Sequence, residues 1–196
     1  MNLKETSTVA EAALPVAALR EHLRLGAGFA DEASADALLA RYLRAAIAVI
    51  EARCGKVLLA RDYQLSLRFW RWPEAQALPL APVSVVASVT LRDAAAAAVL
   101  VDPSLWRLAE DMHRPQLIAL GATLPAMPPN GTVEIAFTAG FGAAWEAVPA
   151  DLRQAVMLLA AQYYEHRSDA LAALPAGVPA LLARWMPLRL TAGGHR

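Results

Sequence analysis

The sequence predicts an α+β protein, with a helical base formed by its N- and C-terminal helices and a small antiparallel β insertion between them. Three observations carry this. Apolar residues recur every three to four positions over 33–54, and again from Leu152 to Tyr163, the period of a helix with one buried face. Between these stretches the period drops to two: Tyr63, Leu65, Leu67 and Phe69 alternate with Asp62, Gln64, Ser66 and Arg68, and Val133, Ile135 and Phe137 alternate later. Prolines at Pro73, Pro79, Pro82, Pro103, Pro115, Pro125, Pro128 and Pro129 punctuate this middle region, so its strands must be short. A length of 196 residues suits a single domain over 1–196. Its expected parts are N-terminal helices over 1–56, a β-rich insertion over 57–142, C-terminal helices over 143–186 and an extended tail over 187–196.

In chain order, Pro15 suits a first helical position, and Leu19 and Leu23 lie one turn apart on a short helix running to about Leu25. Gly26, Gly28 and Asp31 break it. The long helix over 33–54 carries Leu39, Leu43, Ile47 and Ile50 on its apolar face, and Gly55 stands where a glycine ends a helix. After the Tyr63–Phe69 strand, Val83 to Arg92 is rich in β-branched residues and reads as a second strand. The alanine run 94–98 reads as a turn into a return strand at Val99–Val101. Short strands are expected near Trp106–Leu108 and Gln116–Ala119, then a longer one over Thr132–Thr138. Thr138 to Gly142 is a turn, and Val148-Pro149-Ala150-Asp151 opens a helix, with Pro near its first position and a carboxylate where the dipole favours one. That helix runs to about Arg167. A last short helix spans Val178–Met186 and stops at Pro187.

Composition narrows the function classes. The hydrophobic fraction of 57% includes 45 alanines, so larger apolar residues make up about a third of the chain, as in ordinary globular domains. The longest apolar run, Ala94–Val101, is far shorter than the roughly 20 residues that span a bilayer, so no membrane partner is expected. The N-terminus has no apolar stretch behind a basic one, which sets the cytoplasm as the expected compartment. One cysteine, Cys54, excludes an internal disulfide. Eighteen basic and eighteen acidic residues cancel, which argues against nucleic-acid binding by the molecule as a whole. After Asp169 no acid follows, while Arg184, Arg189 and Arg196 do.

No residues form a catalytic constellation. His22, His113, His166 and His195 are scattered, with no His-x-x-x-His pair to hold a metal, and no cofactor is expected. His166 in Tyr163-Tyr164-Glu165-His166-Arg167 reads as a solvated helix end rather than a general base. Cys54 reads as a core cysteine, because a helix C-terminus disfavours a thiolate. Gly140-Phe141-Gly142 lacks the Gly-Lys-Ser/Thr of a phosphate loop and reads as a turn. In Arg68-Phe69-Trp70-Arg71-Trp72, strand alternation puts Trp70 and Trp72 on one face with Arg68, and Phe69 and Arg71 on the other. Arg68, Trp70 and Trp72 are candidates for subunit or partner contact. The alternative is a monomeric or dimeric module that binds a peptide or nucleic acid through the two indoles.

The order of segments is more telling than any one of them. Pro15–Arg24, the helix ending Ile50-Glu51-Ala52-Arg53-Cys54-Gly55-Lys56, and Leu78-Pro79-Leu80-Ala81-Pro82-Val83 before a valine-rich strand come first. Phe137-Thr138-Ala139-Gly140-Phe141-Gly142 with Val148–Ala155, then Tyr163–Arg167 and Leu174–Leu182, follow. In this order, over about residues 14–186, the chain resembles the head-to-tail connector, or adaptor, family of tailed phages and phage-derived particles such as gene transfer agents. The loop around 109–130 and the tail after 187 lie outside the resembling pieces. The resemblance implies a structural subunit, not an enzyme, assembled as a ring of twelve beneath the portal protein and joined below to a tail-side stopper or neck protein. DNA would pass through the ring without specific binding. Such a subunit would be made in the host cytoplasm and end in the particle neck. The segment from about Leu181 is then the expected portal-docking arm, with Leu182, Arg184, Trp185, Met186, Leu188, Arg189 and Leu190 as its contacts, since indoles and arginines are common interface anchors.

Overall fold

A computed structural model describes residues 1–25, 32–166 and 173–186. In chain order its elements are β1 (Asn2–Glu5), a 3-10 turn (Glu11–Ala13), α1 (Val16–His22), α2 (Glu32–Cys54), β2 (Arg61–Leu67), β3 (Ala75–Ala77), β4 (Val83–Arg92) and β5 (Ala98–Leu100). A 3-10 turn (Pro103–Leu105) leads into β6 (Trp106–Ala109), followed by β7 (Gln116–Ala119), β8 (Thr132–Ala139) and a 3-10 turn (Trp145–Ala147). The chain continues as α3 (Ala150–Glu165), α4 (Val178–Leu182) and a final 3-10 turn (Ala183–Trp185). This is the expected α+β mix.

The helices pack α2 against α3 around Leu39, Leu43, Ile50, Leu152, Val156 and Leu159, which are the apolar-period positions of the two helices. Pro15 and Pro149 each stand one residue before their helix, as N-caps rather than first helical residues. Gly55 ends α2 with φ +64, which a glycine adopts without strain.

The strands of the β insertion divide between two sheets rather than one, and the larger sheet also takes in β1 from the N-terminal segment expected to be helical. A five-stranded sheet has the order β1-β2-β8-β4-β5, and a three-stranded sheet the order β3-β7-β6; every pairing is antiparallel. Sequence alternation did not reveal β1 or β3, because both are edge strands of three or four residues, too short to show a period, and their order comes from pairing. In β2 and β8 the alternation holds: Tyr63, Leu65 and Leu67 face Phe137, Ile135 and Val133 in register, with the Tyr63 and Phe137 rings stacked at 5.7 Å. In β4 two register shifts against β8 break the period, so Val83, Val86 and Val89 are buried three residues apart while Val85 faces out.

The helical layer is tied to the sheet where α2 meets β2. The Glu51 carboxylate accepts from Leu58 N at 2.7 Å and takes both bonds of Arg61 Nη2, at 2.8 and 2.7 Å. Burial raises the Glu51 carboxyl above its ordinary 4.5, against the opposing pull of the Leu58 N–H and the Arg61 guanidinium. Close by, Gly140 has φ +133, and a side chain there would meet Ala60 Cα at 2.5 Å, so the crossing of the two backbones requires glycine.

Candidate functional site

The enzyme candidates are placed where chemistry is unfavourable. His166 follows α3 as its C-cap on the exposed surface. Cys54 is 1% exposed, its thiol donates to Ile50 O at 3.0 Å, and burial pushes it above 9.0, away from the thiolate a nucleophile needs. Among the described residues no group of three or more His, Cys, Asp or Glu is arranged to hold a metal, and no helix is long and apolar enough to cross a membrane. His195 lies outside the described residues.

The C-terminal segment folds back on the helices. Leu182, from α4, and Trp185, from the turn after it, are 3% and 6% exposed within the helical core. Trp185 Nε1 donates to Asp151 Oδ2 at 2.8 Å, Arg184 Nε lies 2.8 Å from the same oxygen, and the Arg184 guanidinium sits 4.4 Å from the centre of the Trp185 ring. Phe141, in the turn after β8, meets that ring edge-on at 5.4 Å. Asp151 belongs to the first turn of α3, where the helix dipole favours a carboxylate. The fold gives the first part of the expected docking arm partners within the chain. Leu182 and Trp185 are core residues, and Arg184 is compensated, because an acid 33 residues earlier is brought to it by the fold. Met186 is exposed, and Leu188, Arg189 and Leu190 lie outside the described residues.

The aromatic–basic stretch is also rearranged. β2 ends at Leu67, so the expected face shared by Trp70 and Trp72 does not form. Trp70 is half-buried, its Nε1 donating to Pro125 O at 2.8 Å, and Arg71 N donates to Gln76 Oε1 at 3.0 Å, which turns the chain away from the strand direction. Phe69, expected on the face opposite the indoles, is 74% exposed, and Trp72 is 63% exposed, with Arg68 and Arg71 exposed beside them.

The three-stranded sheet brings partners to this stretch. The start of β3, the end of β7 and the start of β6 lie side by side: Glu74 O accepts from Ala119 N at 2.9 Å, and Leu105 O accepts from Leu120 N at 3.0 Å. Exposed Leu105 and Leu120 thus share one end of the sheet with Trp72, a concentration of apolar surface of the kind that marks interaction sites. Sequence reasoning missed Leu105 and Leu120; the available signal was two large apolar residues placed beside turn residues Pro103 and Gly121.

No protein-family model and no curated protein matches the chain. Solved structures do. A chain from the neck of an empty GTA particle computed with C6 symmetry is 55% identical, with a TM-score of 0.91 over 98% of this chain and 99% of that one. One from the neck of a native GTA particle computed with C12 symmetry is 51% identical, with a TM-score of 0.86 and the same coverage. One from the virion of a native gene transfer agent (GTA) particle is 55% identical, with a TM-score of 0.88, again over 98% and 99%. Identity this high over nearly the whole of both chains, on a shared α+β fold, means that the chain belongs to the head-to-tail connector, or adaptor, family of tailed phages and phage-derived particles such as gene transfer agents, a family of structural proteins rather than enzymes.

Proposed function

We propose that the chain is one subunit of a ring of twelve seated beneath the portal of a tailed phage or phage-like particle. The ring joins the portal to a tail-side stopper or neck protein and lines the channel through which DNA passes. The observation that carries this reading is the 51–55% identity to chains from particle necks computed with C6 and C12 symmetry. A twelvefold ring satisfies both symmetries, and head-to-tail contacts between identical subunits form such a ring when their rotation closes. The helical base and the β insertion act together as one connector domain, made in the host cytoplasm and retained in the neck.

Portal docking falls to Met186 and the residues after it, with Leu188, Arg189 and Leu190 as contacts. Leu182 and Trp185 root that segment in the helical core. Imaging purified particles should find twelve copies at the portal exit; particles whose portal-proximal ring lacks this chain would refute the reading. Truncation after Met186 should abolish capture by the portal protein in pull-downs, and unchanged capture would remove the docking role.

A further inference from the structure

We propose that the exposed aromatic–basic loop of one subunit, Phe69 and Trp72 with Arg68 and Arg71, seats in an alanine-lined groove on the next copy of the chain. The inference rests on the ring reading above and assigns the contact that closes it. The groove, about 560 Å³, lies between the start of α1 and the loop before α3. Ala17, Ala18, Ala143 and Ala144 line it together with buried Trp145 and exposed Glu146. Such small side chains leave a depression that a large ring can fill, burying apolar area on both partners. Glu146 is exposed, as is Glu11 at the head of the adjoining 3-10 turn, so the rim is acidic where the incoming loop is basic.

Topology keeps the two surfaces apart within one molecule. In the β2·β8 pair, Arg61 faces Ala139 at one end and Leu67 faces Val133 at the other. The groove loop follows Ala139, whereas the aromatic loop follows Leu67. The length of β2 separates them, about 20 Å at roughly 3.3 Å per residue. The loop of one copy is thus left free for the groove of another copy, two unlike patches meet, and contacts of this heterologous kind close into a ring when the rotation between copies is a whole fraction of a turn.

The test uses the full-length chain assembled into particles. Pro73→Cys, beside the indole and exposed, combined with Ala144→Cys and treated with a short bismaleimide, should give a ladder of covalent multimers on denaturing gels. Either substitution alone should leave monomers, since Cys54 is buried. Trp72→Ala should weaken subunit association about thirtyfold, the scale of losing an aromatic anchor. Arg71→Glu should block entry into the neck, and Glu146→Arg in the same chain should restore it, a rescue that misfolding could not produce. Dimers from Pro73→Cys alone would mean that the loops meet each other, and would overturn the assignment. Particles with an intact ring, no ladder and normal entry of Trp72→Ala would overturn it while leaving the ring standing. Wild-type particles without the ring would instead remove the reading on which it depends.

Discussion

Lys56 carries its ammonium into the fold at 2% exposure, with His113 Nδ1 as its hydrogen-bond partner at 3.1 Å. Among the described residues it forms no ion pair, and the Asp111 carboxylate attracts it only from a longer distance. Burial pushes this lysine below its ordinary 10.5, with Cys54 and Asp111 opposing. The unfolded chain therefore binds the proton more tightly than the folded chain. The resulting penalty is present below the folded value and disappears as pH rises past 10.5. Lys56→Met, which keeps the stem and removes the charge, should raise stability at pH 7 by about 1–2 kcal/mol in denaturant melts. The gain should shrink as pH approaches 10.5. A loss of stability at pH 7 would show that the bond to His113 outweighs the cost of burial. The sequence placed Lys56 just after the glycine that ends a helix, a position that normally faces water. In the fold its backbone bridges Ala81 in parallel and His113, from a distant loop, reaches its ammonium.

At the scale of elements, the C-terminal turn is held by Asp151. Trp185→Ala should cost about 3–5 kcal/mol, as for other buried aromatics. Asp151→Ala should cost about 1–2 kcal/mol, because the buried indole N–H loses its acceptor. Equilibrium unfolding measures both, and an Asp151→Ala variant as stable as wild type would show that the turn is not latched. It follows that removing everything after Ala180 would strip Leu182 and Trp185 from the core, so only truncation beyond Met186 separates docking from folding. The short helix here was legible from Val178 and Pro187, but its burial was not, because Asp151 and Phe141 are 34 and 44 residues away in sequence. β4 teaches the same point. Its residues announced a strand, yet the register shifts against β8 decided which valines turn inward.

For the whole molecule, balanced charge and a modest interaction surface predict a chain that is monomeric in isolation and assembles on its partners. Light scattering at micromolar concentration should give about one chain's mass, 20.9 kDa, and a stable high-order ring without a partner would contradict this. Titration with single- and double-stranded DNA should show only weak binding that vanishes at physiological salt, since few phosphates can be neutralised by a molecule of formal charge +0. Sub-micromolar binding lost in Trp70→Ala/Trp72→Ala would favour the nucleic-acid module instead, with Arg68 and Arg71 on the phosphates.

By itself the sequence determined what depends on neighbours along the chain: the periods of α2, α3, β2 and β8, the glycine stops, the absence of a paired nucleophile and base, and the segment order shared with the connector family. Local period and turn chemistry express themselves within one or two turns, so they can be read without a fold. Tertiary structure alone decided the split of the insertion into two sheets, the retreat of Leu182 and Trp185 into the core, and the grouping of Trp72 with Leu105 and Leu120. It also opened the alanine-lined groove at the far end of β2. Each of these joins residues tens of positions apart, and their burial or exposure is set by which surfaces the packed layers leave uncovered, a property that no stretch of sequence carries alone.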